Sequence, residues 1–137
     1  MVRQSPREKL WDQLVHQHHY LGRPLIVGAY LKYLAYLDDQ VVACMGWGSA
    51  ARKVVSRSSF IGWDLETRKR NLHQVVNNVS FLVLPWVKIP HLASNVLALN
   101  MKVLNRDWQA FYHTSVWLAE TFVDTSRFKG TCYKAAN

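Results

Sequence analysis

Cysteine is scarce in this chain. Cys44 and Cys132 are the only two in 137 residues, far apart and without a Cys-x-x-Cys context. That argues against a disulfide framework and against a zinc site, and reduced thiols suit a cytoplasmic protein. No run approaches the roughly 18 apolar residues that a membrane span needs, so no membrane partner is expected. The opening segment Met1-Val2-Arg3-Gln4-Ser5-Pro6-Arg7-Glu8 lacks the apolar stretch of a signal peptide. Internal repeats and low-complexity linkers are also missing. Acidic residues are few: 9 against 17 Lys and Arg, a formal net charge of +8 with neutral His. Such a balance favours an anionic partner, whether nucleic acid, a nucleotide cofactor or an acidic surface.

What remains is ample for a core. Half of the residues are hydrophobic and only 19% are charged, which fits one folded domain over residues 1–137. Ser5-Pro6-Arg7-Glu8 reads as a helix start, with Ser5 as cap, Pro6 in the first turn and Glu8 completing a capping box. Leu10, Trp11, Leu14 and Val15 then repeat at helical spacing, and the helix should stop between residues 18 and 22. Residues 29–37 and 41–47 read as strands joined at Asp38-Asp39, an antiparallel hairpin. Asp64 can cap a helix reaching about Val76, with Leu65, Leu72, Val75 and Val76 inward and Arg68, Lys69 and Arg70 outward.

The most informative unit spans residues 78–104. A strand, Asn78-Val79-Ser80-Phe81-Leu82-Val83-Leu84, leads through Pro85-Trp86-Val87-Lys88-Ile89-Pro90 into a helix that begins near His91-Leu92-Ala93-Ser94. Leu92, Val96, Leu99 and Val103 should face the core, and the helix should end near Asn105. A strand followed by a helix start exposes backbone N–H groups where an anion or cofactor phosphate can bind. It also points to an α/β fold with its site at the carboxyl end of a strand. Lys88, the His91 and Ala93 backbone and the Ser94 hydroxyl are the candidate phosphate ligands; the alternative is that Pro90 and Ser94 merely start a helix. A further strand is expected over residues 115–123, and Gly130-Thr131-Cys132-Tyr133 reads as the start of another helix.

Other polar residues carry paired readings. Glu120, within an apolar strand, is either a general base for an amine or exocyclic amino group, or a carboxylate paired with an arginine. His19 is either a base or substrate contact, or a capping and packing residue. Cys132 needs an activating base to be a nucleophile, and otherwise is a buried thiol. Asn71, His73, Asn77 and Asn78 can read base edges but more often satisfy turn backbone groups. Arg52, Lys53 and Arg57, with Arg68, Lys69 and Arg70, are candidate contacts to a nucleic-acid backbone; a solvated basic face is the competing account.

The order of elements resembles the GNAT acyltransferase superfamily. Shorter motifs resemble the Druantia anti-phage protein DruA family: His19-Tyr20-Leu21-Gly22, Ile61-Gly62-Trp63, Arg70-Asn71-Leu72-His73, Leu84-Pro85-Trp86-Val87-Lys88-Ile89-Pro90, Glu120-Thr121-Phe122-Val123-Asp124 and the run from Arg127-Phe128-Lys129-Gly130 to Asn137. The resemblance implies a GNAT-like, mixed and mainly antiparallel sheet flanked by helices, in a bacterial defence or mobile-element setting with defence-complex proteins as partners. It implies that the family pattern continues beyond Asn137. It also implies an acyl-CoA such as acetyl-CoA as cofactor, transfer of an acyl-derived group to an amine or nucleobase, and Tyr133 as the proton donor to a departing thiolate. The sequence departs from the acyltransferase pattern in one respect. The phosphate loop has no glycine between Val87 and Ser94, and Pro90 removes a donor. That departure favours a second function class, a catalytically inert basic module binding nucleic acid or partner proteins.

Overall fold

The computed structural model describes residues 1–19, 22, 24, 26–50, 57 and 60–121. Among these, three helices, α1 (Glu8–His18), α2 (Leu65–Asn71) and α3 (Leu92–Tyr112), accompany four strands, β1 (Tyr30–Leu37), β2 (Gln40–Ser49), β3 (Val75–Val83) and β4 (Leu118–Thr121). The strands form one sheet in the order β1-β2-β3-β4. The first three are antiparallel and β4 lies parallel to β3, so the fold is the mixed α/β class expected.

Each sheet face has its own helix. On one face α3 packs Val96, Leu97, Leu104 and Trp108 against Leu31, Tyr33, Met45, Trp47 and Val76. Each such side chain contributes about 1.5–3 kcal/mol when withdrawn from water. The buried Trp47 Nε1 donates to Asn100 Oδ1 at 2.6 Å, which joins β2 to α3 through a satisfied polar pair. On the other face α1 sets Trp11 and Val15 against Leu34, Cys44, Leu82 and Leu84. Burial there pushes the Cys44 thiol up to about 12, so it stays protonated and unreactive at neutral pH.

Trp11 lies flat on the sheet because Gly46 leaves space for it. A Cβ at Gly46 would stand 3.0 Å from Trp11 Cζ2 and 3.2 Å from Val79 Cγ2. Trp11 Nε1 also donates to Met45 O at 3.2 Å. Beside it, the Lys32 ammonium reaches Asp12 at 2.8 Å and Glu8 at 3.0 Å and so ties α1 to β1. Burial alone would raise the Glu8 carboxyl. The Gln4 N–H, the Lys32 ammonium and the Tyr30 hydroxyl outweigh that effect and hold it below its ordinary value.

Several boundaries differ from the sequence expectations, each for a local reason. The capping box is shifted by one: Glu8 accepts from the Gln4 N–H at 2.8 Å, Ser5 Oγ accepts from the Arg7 N–H at 3.3 Å, and the regular helix begins at Glu8. Asp64 does cap α2, accepting from the Thr67 N–H at 2.7 Å. The helix nevertheless ends at Asn71, and after one 3-10 turn Val75 and Val76 are already in β3, where β-branched residues pack well. Leu65 is 56% exposed, and α2 buries none of its residues. Helix α3 continues to Tyr112, beyond the expected end near Asn105, because Trp108, Phe111 and Tyr112 belong to the packed side. Leu99, expected inward, is 62% exposed; the buried row runs through Leu97, Asn100 and Leu104.

Two measurements check this packing. Gly46→Ala should lose about 1–3 kcal/mol of unfolding free energy in urea, because the new methyl meets a rigid indole. Glu8 has a depressed folded-state value, so its contribution is complete above its ordinary 4.5 and is lost as pH falls through the folded value. The stability gap between the wild type and Glu8→Gln should therefore be widest near neutrality and close on acidification.

Candidate functional site

Strand β3 departs from a regular ladder at its centre. Trp47 faces Asn78 and Gly46 faces Ser80, so Val79 is an extra residue, a bulge between them. Asn78 stabilises this bulge: its buried Nδ2 donates to Gly46 O at 2.9 Å and to Ser80 O at 3.1 Å. It therefore serves the backbone, the commoner of the two roles considered for the asparagines. On the other edge, β4 pairs with β3 only from Val75↔Leu118 to Asn78↔Thr121. The β3 residues beyond the bulge have no β4 partner among the described residues.

Glu120 lies in that paired stretch, opposite Asn77. Parallel partners project to the same side, and Ala119 belongs to the α3-packed face; Glu120 and Asn77 therefore point to the opposite face, the side on which α1 packs. There Arg57 closes on Glu120 with both forks, Nε to Oε2 at 2.7 Å and Nη2 to Oε1 at 2.8 Å. The Arg57 side chain is only 4% exposed and that of Glu120 12%. Arg57 is thus not part of an exposed basic face; its charge is neutralised inside the fold. Both Glu120 oxygens are engaged, which is the arginine-paired alternative. A base role would require this pair to open.

The second centre is the corner between β3 and α3. Helix α3 starts without a side-chain cap and with no acidic residue in its first turn. Its first N–H groups therefore have no intrahelical partner, and the field there favours an anion. Lys88 and His91 are exposed beside it, and Ala93 and Ser94 are half-buried. His91 takes a left-handed conformation, φ 60°, uncommon for a residue with a side chain. Its carbonyl accepts from Ser94 Oγ at 3.1 Å and from the Asn95 N–H at 3.2 Å. The Ser94 hydroxyl proton is already committed, so donation to a phosphate needs a rotation away from His91. The donor set still fits a phosphate: unpaired helix-start N–H groups, one lysine and no competing carboxylate.

The end of α1 meets this corner. The His18 ring stands edge-on to Trp86, centroids 5.1 Å apart, and Val87 packs on the cluster around Trp11 and Val15. His19 follows directly, half-buried, with an imidazole whose value burial lowers. The structure thus brings His18, the residue before His19, against Trp86 in the loop that precedes Lys88. Glu120 belongs to a different part of the sheet, opposite Asn77 near the start of β3. Lys69 and Arg70 are exposed on α2 and Arg68 is half-buried there. Tyr133, Cys132, Arg52 and Lys53 lie outside the described residues. Sequence reasoning held an arginine partner for Glu120 as one of two readings but did not name Arg57, and it missed the Lys32 network, because each joins segments distant in the chain.

Among known proteins, the family model of the Druantia protein DruA matches residues 1–137, the whole chain. No curated protein matches it.

Removing one partner of the buried pair should be costly. Arg57→Ala should lower unfolding free energy by about 3–5 kcal/mol, because Glu120 is left charged and enclosed. The double variant Arg57→Met, Glu120→Leu should recover much of that loss. Urea titrations of the three proteins check both statements.

Proposed function

Since the chain belongs to the Druantia protein DruA family, a family of anti-phage defence, we propose that it serves that defence as a GNAT-like group-transfer domain, moving an acyl-derived group to an amine or nucleobase. One observation carries the reading: β4 runs parallel to β3, and the helix that connects them presents its uncapped start at the carboxyl end of β3. Open α/β sheets bind ligands outside the carboxyl ends of their strands. Lys88 and the backbone N–H groups of Ala93 and Ser94 would hold the cofactor phosphate. An acyl-CoA such as acetyl-CoA, when bound, supplies the activated thioester. In this reading His19 serves the acceptor as base, and burial, which lowers its value, keeps the imidazole neutral at physiological pH. Tyr133 is the proton donor to the leaving sulfur. Glu120, with both oxygens on Arg57, anchors that arginine in the resting protein.

A second reading has an observation of its own. Helix α2 buries no residue, yet it carries Arg68, Lys69 and Arg70 in sequence. A helix that contributes nothing to the core but a basic surface suits contact with a nucleic-acid backbone. This alternative is a binding module without catalysis, in a complex with other defence proteins.

Paired titrations separate the two. Calorimetry with acetyl-CoA should give saturable binding that Lys88→Ala weakens severalfold, and mass spectrometry should find the transferred group on DNA or small molecules that co-purify. Duplex DNA, titrated from low to moderate salt, should lose affinity steeply, and Lys69→Ala with Arg70→Ala should reduce the salt slope by about 1–2. DNA binding without any acetyl-CoA binding selects the module. Binding of neither overturns both readings.

A further inference from the structure

Trp86 is 59% exposed and Ile89 43%, although the loop that carries them has a fixed course. The Val87 N–H donates to Leu84 O at 3.0 Å and the Leu92 N–H to Ile89 O at 3.3 Å, and Pro85 and Pro90 bracket the segment. Val87 anchors it in the cluster around Trp11 and Val15. The indole meets the His18 ring with centroids 5.1 Å apart and planes at 86°. An edge-on neighbour steadies a ring without stacking on it, and the exposure leaves π surface open to solvent. A large aromatic held in place yet left in water forgoes the gain of burial and is free to stack on a planar ligand.

The surroundings are cationic. Lys88, two residues from Trp86, is exposed, and so is His91. No Asp or Glu occurs between Glu66 and Asp107, nor between Asp12 and Asp38, and the loop and the end of α1 fall in these stretches. Asp38 and Asp39, in the turn at the same end of the sheet, bound the patch on the β1 side. An aromatic face beside a lysine matches a base and its phosphate. Magnitudes decide between a free nucleotide and a strand. One stacked base strengthens binding by about ten- to a hundredfold, which on a ring this open leaves a free nucleotide too weakly held to matter. A strand adds phosphate contacts at neighbouring cations, and its base must be unpaired, because in a duplex both faces are covered.

We propose that Trp86 is a stacking platform for an unpaired base of single-stranded nucleic acid, with Lys88 on the adjoining phosphate. This rests on the nucleic-acid reading and adds a second contact to it. Helix α2 precedes β3 and the Trp86 loop follows it, so the two contacts lie toward opposite ends of that strand. In the group-transfer reading Lys88 turns to a cofactor phosphate instead, so the assay contains no cofactor.

Fluorescence anisotropy of the 137-residue chain tests it with labelled probes of equal length: single-stranded oligodeoxyadenylate, the same strand without bases, and a duplex. The single strand should bind at least about tenfold tighter than the abasic one. Trp86→Leu, apolar but without a ring, should weaken the single strand about tenfold and leave the abasic strand and the duplex unchanged; Trp86→Phe should keep most of the wild-type affinity. Lys88→Ala should weaken the single and abasic strands alike and lower the salt slope by about 0.7. Urea midpoints of both Trp86 variants should match the wild type. A ring that only packs on His18 predicts the reverse: a lowered midpoint for Trp86→Leu and unchanged single-strand binding. That result, equal binding of single and abasic strands, or a Trp86→Leu loss that extends to the duplex would overturn the inference. Duplex binding that depends on Lys69 and Arg70, with a single strand indifferent to Trp86, removes the platform and leaves the nucleic-acid reading standing. Binding of none of the probes removes both.

Discussion

The parallel return of β4 to the start of β3 is the constraint on which the rest of the fold depends. Strand β3 has nine residues, about 30 Å of extended chain, and the chain must cover that distance again before β4 can pair beside Val75. Helix α3, at 21 residues, is about 31 Å long, which matches the return. Its length therefore does more than bury apolar surface. It delivers Tyr112 to the beginning of β1, where the phenol bonds the Tyr30 backbone, and sets Asn100 beneath Trp47. A helix stopped near Asn105 would leave Trp108, Phe111 and Tyr112 off the packed side. The same geometry fixes the two polar centres. The start of α3 belongs to the carboxyl end of β3, and Glu120 is carried back to the level of Asn77.

The two centres use charge in opposite ways. At the corner, Lys88 and the helix start expose uncompensated positive potential to solvent, an arrangement that attracts anions and weakens as salt rises. Around Arg57 the positive charge is enclosed and cancelled by Glu120, so it adds little to long-range attraction. A basic sequence can thus contain a cation that contributes nothing to its surface field. The net charge of +8 does not distinguish Arg57 from Lys69 or Arg70; burial does.

The sequence was most legible where local chemistry decides. The hairpin around Asp38-Asp39, the Asp64 cap, the Trp11 and Val15 stripe and the strand-loop-helix corner all follow from turn residues and short-range periodicity. It was least legible where tertiary packing overrode such signals. Val75 and Val76 continue the helical pattern of α2, yet the sheet claims them. Trp108 and Phe111 look like a loop after a finished helix, but their packing against the sheet keeps them helical. Among the polar residues, types and positions were readable and partners were not. Glu120 was recognisable as a costly strand carboxylate, whereas its ligand is 63 residues away. The candidate phosphate ligands sit together because they are close in sequence.

The clamp of Tyr112 on Tyr30 bears on how the protein meets its neighbours. Among the described strands, in the order β1-β2-β3-β4, β1 borders the sheet. Such a border ordinarily offers free N–H and C=O groups to any extended chain. Here Tyr112 Oη accepts from the Tyr30 N–H and donates to its carbonyl, both at 2.8 Å, and the Val2 N–H donates to Lys32 O at 2.8 Å. One phenol and one N-terminal residue thus occupy the Tyr30 N–H and C=O and the Lys32 C=O at the beginning of this strand. A partner or a second copy seeking to lengthen the sheet at this end would have to displace both, and with Val2 it would pull a side chain out of the α1 core.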